Sequence, residues 1–68
     1  MKLTEKQKAI FDYIIDYRDE WGYSPTYGEM ADRFTCSARN VYGHVQALIK
    51  KGKLSNPRGR ARMLVPVA

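Results

Sequence analysis

A mainly α-helical fold, three helices followed by a two-stranded β-hairpin, is what this sequence predicts, and three observations carry it. Apolar residues recur at intervals of three and four in three separate stretches, the spacing of one helix face. Each stretch opens on a hydroxyl residue suited to an N-cap, namely Thr4, Thr26 and Ser37. Beyond Gly52 the pattern changes to two short runs of strand formers around a turn rich in Asn, Pro and Gly.

The first helix is expected at about 4–21. Thr4-Glu5-Lys6-Gln7 fits a capping box, in which the threonine hydroxyl serves a first-turn amide and Gln7 reaches back. Ile10, Ile14, Tyr17 and Trp21 fall on one stripe, widened by Phe11 and Ile15, which makes Tyr17 and Trp21 expected core anchors rather than base-stacking groups. Lys8, Asp12, Asp16 and Asp19 take the opposite face. Gly22 suits the left-handed residue that closes a helix, and Ser24-Pro25 predicts an extended link. The second helix, about 26–34, repeats the capping box in Thr26-Tyr27-Gly28-Glu29 and has Met30, Ala31 and Phe34 as its apolar face. Ser24 and Thr26 are read as cap and turn residues.

Thr35-Cys36-Ser37 is a three-residue break before a third helix at about 37–51, with Val41, Val45, Leu48 and Ile49 facing inward. Lys50-Lys51-Gly52 ends it, cations lying against the negative helix end and glycine at the cap. Lys53-Leu54-Ser55 and Arg62-Met63-Leu64-Val65 read as the strands of a hairpin at about 53–65, and Pro66, lacking an amide, is expected to end the pairing. Two helices joined by a short turn and followed by a hairpin spell a winged helix-turn-helix, one domain over 1–68.

Sixty-eight residues leave too little interior for two cores, and 44% hydrophobic with 28% charged residues is the balance of a globular protein rather than a disordered tail. No apolar stretch approaches the roughly 20 residues of a bilayer crossing, and Met1-Lys2-Leu3-Thr4 opens no signal peptide, so a cytoplasmic protein without a membrane partner is expected. One cysteine, Cys36, and one histidine, His44, can build neither an internal disulfide nor a four-ligand zinc cage. Cys36 reads as a small, partly buried thiol. The basic half lacks Asp and Glu, which leaves no catalytic set to draw there. No cofactor, no metal, no small-molecule substrate and no enzyme activity are expected.

The charge is split along the chain. Residues 1–32 hold seven acids against Lys2, Lys6, Lys8 and Arg18, a balance of minus 3. Residues 33–68 hold Arg33, Arg39, Lys50, Lys51, Lys53, Arg58, Arg60 and Arg62 with no acid, a balance of plus 8. Such a half suits a polyanion, because each cation near a phosphate releases a condensed counterion. A solvated basic face without a partner is the competing explanation.

If the apolar stripe of the third helix faces the core, Arg39, Tyr42, Gly43, Gln46 and Lys50 face outward. Arg39, Gly43, Gln46 and Lys50 lie at steps of four, three and four along one ridge. Arginine can grip guanine through O6 and N7, Asn40 or Gln46 can do the same for adenine, and Gly43 permits close approach of the backbone. A recognition helix enters the major groove by its N-terminal end, which puts Arg39 and Asn40 first among base readers. Thr26, His44, Lys50 and Lys53, with Arg58, Arg60 and Arg62 of the hairpin, are the expected phosphate contacts. The arginines also suit a solubilising turn or a protected sheet edge.

Leu3-Thr4-Glu5-Lys6-Gln7, Gly22-Tyr23-Ser24-Pro25-Thr26 followed by Glu29 and Ala31, Val41-Tyr42-Gly43-His44-Val45 and Leu48-Ile49-Lys50-Lys51-Gly52 together resemble the N-terminal DNA-binding domain of LexA-type repressors. The resemblance implies a three-helix domain with a two-stranded wing, in which Ser37, Arg39, Asn40, Tyr42 and Gly43 occupy the base-reading positions. It implies a repressor of double-stranded DNA targets, from a family whose own setting is the SOS response. Proteins similar to this one continue into a domain with a scissile Ala-Gly bond and a Ser-Lys dyad, absent from these 68 residues. Self-cleavage, the dimer contacts and the response to DNA damage therefore do not carry over. A monomer in isolation, or a weak dimer on DNA, is expected. The rival expectations are a protein-interaction module, or a competitor of a LexA-type repressor using the same winged-helix surface, and a shape-selective RNA binder, disfavoured for want of an exposed aromatic platform.

Overall fold

The backbone amides that open a helix have no intrahelical acceptor, and in this protein each helix begins one residue after a hydroxyl side chain that supplies one. In the computed structural model, which describes residues 3–56, 59 and 64–67, Thr4 precedes α1 (Glu5–Trp21), Thr26 precedes α2 (Tyr27–Phe34) and Ser37 precedes α3 (Ala38–Lys50). Both threonine caps are reciprocal boxes. The amide of Thr4 donates to Gln7 Oε1 at 3.2 Å and that of Thr26 to Glu29 Oε1 at 2.8 Å.

The helices close as regularly as they open. Gly22 takes a left-handed conformation at φ 81° and donates its amide to the Arg18 carbonyl at 2.8 Å. After α3, Gly52 at φ 78° donates to Ile49 and Lys53 to Leu48, the two bonds of a Schellman ending. The same pair of bonds ends α2, from Thr35 to Asp32 and from Cys36 to Ala31, but the left-handed position is filled by threonine at φ 54°. A β-branched residue there is strained. That strained residue makes the turn from α2 into α3.

Ile10 and Ile14 of α1, Met30 and Ala31 of α2, and Val41, Val45 and Leu48 of α3 form the buried core, closed below by Leu54 and Leu64. Truncating one of the large members to alanine costs about 2 to 5 kcal/mol, a large part of a small domain's stability. Trp21 departs from expectation. It is 56% exposed, because the elements that cover α1 over Ile10 and Ile14 do not extend to its last residue. Periodicity gives a side chain's direction, not whether anything lies there to meet it. Tyr17 is half-buried and donates its hydroxyl to Glu29 Oε2 at 3.3 Å instead of packing at the centre.

The strands β1 (Leu54–Ser55) and β2 (Val65–Pro66) pair antiparallel, Leu54 opposite Pro66 and Ser55 opposite Val65. Pro66 thus belongs to the pairing rather than ending it. The amide of Val67 donates to Lys53 at 2.9 Å, so the Leu54 and Pro66 pair falls at the alternate position where no amide is needed. Ser24 is also more than a turn residue. It is fully buried and donates to the Leu64 carbonyl at 2.6 Å, which also accepts from Arg18 Nη1 at 3.0 Å. These bonds fasten the returning strand to α1 and to the link before α2. The arrangement is a winged helix-turn-helix. Among the described residues, no helix is long and apolar enough to cross a membrane.

Candidate nucleic-acid interface

Burying Val41, Val45 and Leu48 turns the other side of α3 to solvent, and the expected readers lie there. Ser37, Arg39, Asn40, Tyr42, Gly43, Gln46 and Lys50 are all exposed. Ser37 Oγ accepts from the Asn40 amide at 3.2 Å, holding the first turn in place. Acids sit in the first turns of α1 and α2, Glu5 and Glu29, but none in that of α3. The partial positive charge at its N-terminus is therefore not answered from within the turn.

Gly43 is the most telling of these residues. It sits mid-helix, where glycine is less favourable than alanine by about 0.5 to 1 kcal/mol, and a Cβ placed there would meet nothing within 4 Å among the described residues. No packing among the described residues calls for glycine. A bare backbone at the middle of an exposed polar helix face suits a partner that approaches closely.

Of the expected phosphate contacts, Lys50 is exposed, and Thr26, His44 and Lys53 are half-buried. Thr26 sits at the start of α2 and its hydroxyl accepts from Glu29. Arg58, Arg60 and Arg62 lie outside the described residues. The basic half is not wholly available to an outside partner. Lys51 Nζ donates to Gln7 Oε1 at 2.6 Å, fastening the end of α3 to the start of α1. The Arg33 guanidinium lies over the rings of Tyr13 and Phe34, 5.8 and 5.5 Å from their centroids.

Sequence reasoning missed Tyr27. Its ring meets that of Tyr42 edge-on at a centroid separation of 5.4 Å, and burial foremost, with Tyr42 second, raises its hydroxyl pKa. Tyr27 and Tyr42 line a cleft of about 330 Å³ together with Gln46, Ile49, Asn56 and Gly59. The cleft joins the outward face of α3 to the hairpin turn, where Gly59 at φ 69° donates to the Asn56 carbonyl at 3.2 Å. Tyr27 and Tyr42 are far apart in sequence, and no periodicity within one helix brings them together.

Residues 1–63 match the family model described as the LexA DNA binding domain. The LexA repressor of Leptospira biflexa is 37% identical over 62 residues, which are 91% of this chain and 31% of the relative. That of Thermosipho melanesiensis is 43% identical over 58 residues, 84% of this chain and 29% of the relative. That of Pseudothermotoga lettingae is 38% identical over 63 residues, 93% of this chain and 31% of the relative. The chain spans about 30% of the length of these curated relatives. With three helices, a wing and an acid-free outward face on α3 already in place, the match over 1–63 shows that this chain belongs to the LexA DNA-binding domain family.

Proposed function

We propose that this chain acts in the cytoplasm as a sequence-specific regulator of transcription, a repressor domain that reads the major groove of double-stranded DNA with α3 and has no enzyme activity. The single observation that carries the reading is the exposed face of α3, where Arg39, Asn40, Tyr42 and Gln46 surround a glycine that no contact among the described residues requires. Ser37, Arg39, Asn40, Tyr42, Gly43 and Gln46 read base edges, while Thr26, His44, Lys50, Lys53 and the wing arginines Arg58, Arg60 and Arg62 hold phosphates. Repression rather than activation is supported by the relatives' common name, LexA repressor.

A monomer that meets one half-site with one recognition helix binds weakly, and two copies on a palindrome bind more tightly only where they touch. Selection from random duplexes, followed by binding at several salt concentrations, tests the reading. A defined consensus should emerge, and log affinity should fall with log salt by about 0.9 for each phosphate contacted. A flat salt dependence, or no enriched sequence, would contradict it.

A further inference from the structure

One aromatic feature belongs to α1 and α2 rather than to α3. Tyr13, Tyr17 and Trp21 follow one another at steps of four along α1, with ring centroids 5.9 and 6.2 Å apart, and Tyr23 joins Tyr17 at 6.0 Å. Phe34 of α2 meets Tyr13 edge-on at 5.6 Å and extends the series to five rings. Trp21 and Tyr23 are 56% and 42% exposed. Tyr13 and Phe34 pack partly against the core, so the series runs from the core out to two neighbouring exposed rings, and adjoining exposed aromatics mark a surface for contact more than single ones do.

The ridge is set among acids. Asp16 and Glu20, both exposed, lie one turn beyond Tyr13 and Tyr17 on the solvent side, and Glu29 accepts from the Tyr17 hydroxyl. Burial chiefly raises the Tyr13 pKa, with Tyr17, Glu29 and Glu20 adding to it and Arg33 opposing it. Asp16, Glu20 and Glu29 thus set carboxylates beside the rings, with Arg33 as the opposing cation. A cation already sits on it, the Arg33 guanidinium over Tyr13 and Phe34. Planar, weakly hydrated guanidinium groups stack on aromatic faces better than ammonium groups do.

We propose that the Tyr13, Tyr17, Trp21 and Tyr23 ridge with Asp16 and Glu20 is a docking surface for an arginine-rich segment of a partner protein. Its residues come from α1 and the link before α2, whereas the proposed base readers come from α3; of the proposed phosphate contacts, Thr26 stands at the end of that same link.

Trp21 is the sole tryptophan and reports directly on its own surface. The domain is titrated with a synthetic peptide of alternating arginine and glycine, and with its lysine counterpart, at about 0.15 M salt, where weak charge attraction over long range is screened. Trp21 emission and amide shifts are followed. The arginine peptide should perturb Trp21 and the amides near residues 13, 17 and 23, and should bind about five-fold more tightly than the lysine peptide. Trp21→Ala, and separately Glu20→Gln, should each weaken the arginine peptide several-fold while leaving affinity for duplex DNA unchanged. Equal binding of both peptides, with shifts spread over all acids of α1, would overturn the proposal by reducing it to general charge attraction. Peptide binding untouched by either substitution would overturn it too. Sedimentation showing self-association that Trp21→Ala abolishes would make a second copy the occupant instead.

Discussion

Replacing Gly43 by alanine separates the stability of the fold from its use. The position lies in the interior of α3, its backbone is helical, and an added methyl group meets nothing within 4 Å among the described residues. The substitution should therefore stabilise the free domain by about 0.5 to 1 kcal/mol, the difference between glycine and alanine within a helix. For a domain of this size that raises the melting temperature by roughly 2 to 8 °C. On DNA the sign reverses. Forcing one extra methyl into a packed contact costs about 1 to 3 kcal/mol, roughly a 5- to 150-fold loss of affinity. Thermal unfolding of the two proteins, paired with binding to the selected duplex, measures both effects. If Gly43→Ala bound the duplex as tightly as the parent, α3 would not present its middle to the bases, and the assignment of the recognition face would fall. If the variant were less stable, the account of Gly43 as a residue that the fold itself does not require would be wrong.

Arg39→Ala should relax preference at one base pair by about 1 to 3 kcal/mol and affect other positions little, as measured against single-base variants of the selected duplex. Ser24→Ala removes a buried bond to the Leu64 carbonyl that Arg18 still serves, so its cost should stay near 1 kcal/mol by denaturant unfolding. Adding Arg18→Ala should cost more than the two single changes together, and strict additivity would show that the carbonyl does not depend on them. Thr35→Gly relieves the left-handed strain after α2, worth about 1 to 2 kcal/mol, against about 0.4 to 1 kcal/mol of added unfolded-chain entropy. A net rise in stability is expected, and a fall would mean the threonine side chain holds the turn. Burial raises Tyr13 and Tyr27 above their ordinary pKa of 10.0, so the unfolded chain loses these protons first. Their contribution to stability is intact below pH 10 and declines as pH rises through their folded values. Tyrosinate absorbance should lag in the folded protein, and a titration identical to that of the unfolded chain would contradict this.

How much of this was legible in the residues depends on the range of the interaction. Caps at Thr4, Thr26 and Ser37, the glycines that follow α1 and α3, and the inward stripe of α3 are set within a turn or two of the chain, and sequence alone determined them. The outward face of α3 followed, since a helix with one apolar stripe has one remaining side. Contacts between distant segments were decided only by the tertiary structure. Trp21 shares the stripe of Ile10 and Ile14 yet stands in solvent, because cover along α1 stops before it. Ser24 looks like a turn residue until Leu64, brought back by the wing, supplies the carbonyl it binds. Pro66 looks like the end of a strand until its register puts its missing amide where none is needed. Tyr27 meets Tyr42 only because α2 packs on α3. The physical reason is common to all four: periodicity encodes the direction of a side chain from its own backbone, and only packing determines what stands opposite.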